Sequence, residues 1–386
     1  MAELDSLDLA RRLIRCPSVT PEEGGALDLL QEVLEGLGFR CRRLVFSAAG
    51  TPDVDNLYAR LGEAGPNFCY AGHTDVVPPG DPAAWRHDPF AAAVEDGWLY
   101  GRGAVDMKGS IAAYIGAVSR FLAARGPNFG GALSLLITGD EEGPAVNGTR
   151  KVLEALAAEG ETLEACLVGE PTSNECLADM VKIGRRGALN ARLTVPGVQG
   201  HSAYAHLADN PVHRLVAMLA RLTGEPLDSG SDHFPPTSLQ VTTVDVGNPA
   251  TNVIPAVATA GFDVRFSDRQ TSQSVERWVR ERLDAVGGDY ELVVRVSGES
   301  FLCPPGPLSD LIGRAVAGET GAAPELGTTG GTSDARFIKD HAPVAELGLL
   351  NATAHKVDER VSLDDLAALG RIYQAVLEGY FAASSP

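Results

Sequence analysis

Apolar positions change their spacing twice along the chain. Between residues 26 and 37 they fall at Ala26, Leu27, Leu30, Leu34 and Leu37, the one-face spacing of a helix, and Gly38 follows as its C-terminal cap. Strand-like runs follow at 54–61 and 67–72. The stretch from Ser110 to Ala124 is mostly apolar, which predicts a buried helix. A strand at 132–138, a helix near 147–158 and a strand at 165–169 continue the rhythm. Strands alternating with helices predict an α/β fold with a mostly parallel sheet flanked by helices.

After about residue 184 the pattern becomes one-faced. Leu189, Ala191, Leu193 and Val195 alternate with Asn190, Arg192 and Thr194, as in a half-exposed strand. Asn210-Pro211 opens a helix running to Thr223, with Asn as N-cap and Pro at the first position. Strands near 238–246 and 257–266, a helix near 271–286 and a strand near 290–296 complete a small α+β layer. The α/β pattern returns near 307 and ends in a helix over 363–381, with Ser362 as N-cap and Asp365 in its first turn. The expected division is one domain from 1–184 and 296–386, with a second inserted over 185–295.

Composition narrows the classes of function. A chain of 386 residues has ample core for such a pair of domains. The formal net charge of −19 argues against nucleic acid as a partner, because phosphate contacts need a basic surface. No apolar run is long enough to span a membrane, so no membrane partner is expected. The opening residues Met1-Ala2-Glu3-Leu4-Asp5 lack a basic-then-apolar signal pattern. Six cysteines, at 16, 41, 69, 166, 176 and 303, form no CxxC pair. A reduced, cytoplasmic setting is the expectation.

The candidate chemistry lies where apolar runs stop. Asp140-Glu141-Glu142 follows Leu133 to Thr138, His73-Thr74-Asp75 follows Phe68 to Gly72, and Glu170 follows Cys166 to Gly169. Asp106 sits in the Gly-rich turn Gly101 to Gly109, and His355 lies near the C-terminus. Crowded carboxylates repel unless something cationic holds them, and hard oxygen and imidazole donors at strand ends suit a site for two divalent ions. Asp75, two residues past His73, is placed to fix the imidazole tautomer. Asp106 is suited to bridge two cations. Of the two glutamates, Glu142 is assigned as ligand and Glu141 as general base, an order that spacing does not settle. His201-Ser202 lacks the G-x-S-x-G context of a serine nucleophile. Arg185-Arg186 and Arg265 suit a carboxylate clamp, and the turn Gly330 to Asp334 could offer backbone N–H groups to an anion.

Four segments, Gly72-His73-Thr74-Asp75-Val76-Val77-Pro78, Gly101 to Gly109, Asp140-Glu141-Glu142-Gly143 and Gly169-Glu170-Pro171-Thr172, resemble the di-zinc aminoacylase and carboxypeptidase family. The resemblance runs over nearly the whole chain. It implies a metal-dependent hydrolase whose substrate is a small dicarboxylate amide; a related hydrolase of another N-acyl amino acid is the alternative within the same class. A metal-free binding protein on the same fold is the alternative from another class. Two divalent ions per subunit are implied, zinc first, with cobalt or manganese also suited. Asp106 would bridge them, with His73 and Glu170 completing one site and Glu142 and His355 the other. Glu141 would be the base and Asp75 the support of His73. The inserted domain would form a homodimer interface, from which His201 would reach the neighbouring subunit's site as an oxyanion donor. Arg185, Tyr204, Asn252, Arg265, Gly331, Thr332 and Asn351 match positions that hold substrate. Ala188, Ala205 and Asp263 depart from the family pattern.

Overall fold

Eight strands form one mixed sheet in the structure, a computed structural model that describes residues 3–63 and 65–382. From one edge the order is Arg40–Ala48, Thr51–Leu61, Ala132–Thr138, Asn67–His73, Ala165–Val168, Val344–Glu346, Met180–Lys182 and Glu325–Gly327. The four central strands run parallel, and the two strands at each edge bring in antiparallel pairings. Every residue of Ala132–Thr138 is buried. Side chains of a strand alternate between faces, so that pattern requires cover on both sides. The helix Lys108–Arg125 is buried almost all round and packs against Ser6–Ile14 and Leu363–Ala382. Its hydrophobic circumference is that of an internal helix.

The parallel register determines where the strand ends lie. His73 pairs with Thr138, and Ala71 with Val168. The residues leaving those strands, His73, Asp140 to Glu142 and Glu170, therefore gather at one carboxyl edge of the sheet, where open α/β folds place their sites.

Contacts divide the chain into two units. The first comprises residues 1–183, 303–327 and 333–386, and the second comprises 184–302 and 328–332. The second unit closes at Leu302, beyond residue 295, because the strand Glu291–Gly298 runs through that position and Phe301–Leu302 pairs with Gly184–Arg185. Its antiparallel sheet has the order Ser238–Asp245, Val257–Phe266, Gly187–Pro196 and Glu291–Gly298. Leu189, Leu193 and Val195 enter its core with Leu215, Val275 and Val279 from the helices Pro211–Thr223 and Ser272–Asp284. Asn190 and Arg192 stay exposed. Asn210 caps the first helix through Val212 N–H, and Thr271 forms a reciprocal capping box with Ser274 on the second. No helix among the described residues is long and apolar enough to cross a membrane.

Candidate active site

Four of the residues singled out above gather around a fifth, the carboxylate of Asp106. Asp106 leaves the turn before Lys108–Arg125 with its two oxygens facing different imidazoles. Oδ1 lies 3.2 Å from His73 Nε2, and Oδ2 lies 3.2 Å from His355 Nε2. His73 Nε2 is also 3.5 Å from Glu170 Oε1, and His355 Nε2 is 2.7 Å from Glu142 Oε1. Two donor groups thus share Asp106: His73 and Glu170 on one side, Glu142 and His355 on the other. His73 is buried, whereas the His355 side chain is 49% exposed.

His73 Nδ1 lies 2.8 Å from the carbonyl oxygen of Asp75. A carbonyl only accepts, so Nδ1 carries the proton and Nε2 is turned to the carboxylates. The support from Asp75 therefore comes through its main chain, because its carboxylate oxygen is 3.6 Å from Nδ1, beyond hydrogen-bond reach. That carboxylate instead accepts the backbone N–H of Glu141 at 3.3 Å and of Glu142 at 3.0 Å. Asp75 fixes the acidic loop as well as the histidine. Asp140 adds a second anchor, accepting from Val146 N–H at 2.8 Å and Asn147 N–H at 2.9 Å. Neither role shows in the sequence, because both depend on which backbone groups the fold brings near.

The electrostatics show a site short of positive charge. Burial lowers the proton affinity of His73, but Asp106 and Glu170 outweigh it and raise the imidazole well above its ordinary value. Hydrogen bonds donated to Asp106 and then to Glu142 raise His355 to about 10. Burial works to raise Asp106, yet His355 and His73 hold it well below the usual carboxylate range. Burial pushes Asp75 up to about 6. Glu141 is raised well above normal, first by burial and then by Glu170, with Asp334 adding to the repulsion. The raised groups favour positive charge or a bound proton among packed carboxylates, and Asp106 stays ionised only because two imidazoles face it. Imidazole and carboxylate atoms of His73, Asp106 and Glu142, and of His73, Glu141 and Glu170, lie within 4.8 Å of one another. This donor set fits divalent cations, which would supply the charge that protons supply otherwise.

The second unit brings together a different subset. His201 pairs with Val253, and Ser202 N–H donates to the Asn252 carbonyl at 2.9 Å, so His201 and Asn252 are neighbours. His201 and Tyr204 rings meet edge-on, 5.6 Å between centroids, with both side chains exposed. Arg185 is buried and donates to the Gly331 carbonyl at 3.0 Å, next to Thr332. Arg265 Nε is paired with Asp263 Oδ1 at 2.9 Å, so the departure Asp263 occupies part of that guanidinium. Asn351, in the first unit, is exposed and begins a short 3-10 turn tied to the Ser173 carbonyl.

Comparisons with known proteins bear on the family and the fold. The model of peptidase family M20/M25/M40 matches residues 69–379. A succinyl-diaminopimelate desuccinylase of Rhodospirillum centenum is 61% identical, over 99% of this chain and 99% of that protein. Among solved structures, an M20 family metallo-carboxypeptidase from Sulfolobus solfataricus superposes with a TM-score of 0.79 at 18% identity, over 98% of this chain and 99% of that one. A dinuclear metal binding peptidase from Bacillus subtilis gives 0.69 at 17%, covering 96% and 97%. At those identities the two structures speak for the fold.

Proposed function

The chain belongs to peptidase family M20/M25/M40, and from that premise we propose that it hydrolyses N-succinyl-LL-2,6-diaminopimelate to succinate and LL-2,6-diaminopimelate, a step in lysine and diaminopimelate biosynthesis. The observation that carries the reading is the sharing of Asp106 between two imidazole–carboxylate groups, which matches a metal-dependent amide hydrolase. The substrate is supported by the 61% identical desuccinylase, aligned end to end.

His73, Asp106 and Glu170 would hold one divalent ion, and Asp106, Glu142 and His355 the other, zinc being preferred. When bound, such ions polarise a carbonyl and bring the pKa of water to about 7. Glu141 takes the proton from the attacking water. The water oxygen bonds to the amide carbon, whose carbonyl oxygen gains negative charge. Glu141 then delivers its proton to the leaving nitrogen as the C–N bond breaks. A carboxyl group whose burial favours the proton is suited to hold it between those steps. Asp75 keeps His73 and the Glu141–Glu142 backbone in place.

His201, from the second unit of a neighbouring copy, is assigned as donor to the developing oxyanion. Its exposure suits a group that meets substrate from outside its own chain. Arg185, Tyr204, Asn252, Arg265, Gly331, Thr332 and Asn351 are assigned to substrate carboxylates and backbone. A homodimer through the second unit is supported by apolar side chains on both edge strands of its sheet, Val244 on one and Val293 and Val296 on the other, each 45% exposed or more. A cytoplasmic setting is supported by six cysteines that are all free.

The test is a side-by-side assay of zinc-loaded protein on N-succinyl-LL-2,6-diaminopimelate and N-acetylornithine. The succinyl substrate is expected to show a kcat/KM at least about 100-fold higher, since a site built to pair a second carboxylate penalises its absence by that order. Equal or reversed preference would sink the substrate assignment while leaving the hydrolase reading intact.

A further inference from the structure

Arg102 and Glu359 lie 257 positions apart and form an ion pair with side chains 3% and 0% exposed. Resting on the metal-site reading above, we propose that this pair is a positioning device that sets the metal affinity by holding the Asp106 turn and the His355 loop against each other.

Every contact of the pair described here falls on those two segments or on their immediate supports. Glu359 Oε2 accepts from Arg102 Nη1 at 2.6 Å. Glu359 Oε1 accepts the backbone N–H of Val105 at 2.9 Å and of Asp106 itself at 3.2 Å. The Glu359 carbonyl accepts Gly101 N–H at 2.9 Å. Arg102 Nη2 reaches the carbonyl oxygen of His355 at 3.4 Å, and its guanidinium lies over the Trp85 ring, 5.2 Å from the centroid. One carboxylate thus holds the backbone of the shared ligand, and its partner holds the backbone of a second ligand.

The His355 loop needs such a restraint. His355 and Asp358 have φ of +62° and +58°, a left-handed conformation that side chains rarely adopt. Strained backbone persists where its surroundings over-determine it, and Glu359 fastens the chain one residue after the second strained position. A buried ion pair is weak evidence for a gain in stability, because desolvation offsets the attraction. What this pair does supply is geometry: one guanidinium nitrogen meets Glu359 Oε2 and another the His355 carbonyl, while the other Glu359 oxygen is committed to the Asp106 turn. Groups that orient metal ligands in this way influence affinity without touching the ion.

The test titrates zinc back into chelator-stripped protein by competition with a chromophoric chelator. Wild type is compared with Glu359→Gln, Arg102→Lys, Arg102→Met and a control, Arg60→Met, which removes a largely buried pair with Glu161 elsewhere in the same unit. Glu359→Gln and Arg102→Met are expected to weaken zinc binding by about 10–100-fold. The ion assigned to Glu142 and His355 should weaken most, since Arg102 restrains His355 directly. Arg102→Lys should recover part of the loss, and excess zinc should restore kcat with KM unchanged. Arg60→Met should lower the melting temperature and leave zinc affinity alone. Wild-type zinc affinity at both positions in folded Glu359→Gln, or in Arg102→Met should the former not fold, overturns the proposal. Wild-type protein that takes up no zinc overturns the metal-site reading itself, and this proposal with it.

Discussion

Asp140, Glu141 and Glu142 are adjacent, yet the fold gives each a different task. Asp140 turns back to receive Val146 and Asn147 N–H groups, closing its loop. Glu142 meets His355, and Glu141 lies with His73 and Glu170. The sequence showed that the triplet ends a buried strand and so belongs at a sheet edge. It did not show which oxygen faces which imidazole, because neighbouring side chains diverge according to a loop conformation set by Asp75 and Asp140. Glu141→Ala is expected to keep its zinc and lose turnover by about 10²–10⁴-fold, the usual contribution of a positioned base. Zinc content by elemental analysis, measured beside kcat, checks this. Loss of metal in Glu141→Ala with both ions retained in Glu142→Ala would reverse the two assignments.

At the scale of elements, legibility followed burial. Asn67–His73 and Ala132–Thr138 are buried almost throughout and stood out as apolar runs. Arg40–Ala48, an edge strand that opens Arg-Cys-Arg-Arg and is half-exposed along its length, carried no such pattern. Glu325–Gly327 and Val344–Glu346 are too short to show a period, and only their neighbours make them strands. Loops held by side chains were equally silent. The Asp228 carboxylate accepts from Gly230 N–H, Thr237 N–H, the Thr237 hydroxyl and the Ser267 hydroxyl, tying a loop to the end of Val257–Phe266. Burial works to raise Asp228, but these hydrogen bonds hold it below its ordinary value. A carboxyl depressed by folding stabilises the fold above its unfolded value of about 3.9 and loses that contribution as pH falls toward the folded one. Asp228→Ala strands the buried Thr237 and Ser267 donors and should cost about 1–3 kcal/mol near pH 7. Denaturant unfolding across pH should show that gap closing below about pH 4. A gap independent of pH would show that the charge of Asp228 contributes nothing.

For the whole molecule, the telling feature is that the first unit is built from both ends of the chain. His73 and Asp106 precede the second unit and His355 follows it, yet all three stand within one site. The change from buried to one-faced strands near residue 184 made the insertion visible. The segment 328–332 belongs with the second unit although it lies well past the return, and no pattern marked it. If the second unit pairs two copies, the protein should sediment at about twice its 40.5 kDa. The double substitution Val244→Lys and Val293→Lys, charging both exposed edge strands, should yield monomer with sharply reduced turnover. A monomeric wild type with full activity would remove both the dimer and the proposed role of His201.

The sequence alone determined the kinds of donor atom, the strand ends that carry them and the insertion of one unit within another. These follow from local periodicity and from residue chemistry, which need no partner to be recognised. Tertiary structure alone decided the pairings that no motif carries: the Asp75 carboxylate on the acidic loop rather than on His73, and Arg102 with Glu359. The reason is physical. A hydrogen bond or ion pair depends on distance in space, and residues hundreds of positions apart acquire a distance only when the chain has folded.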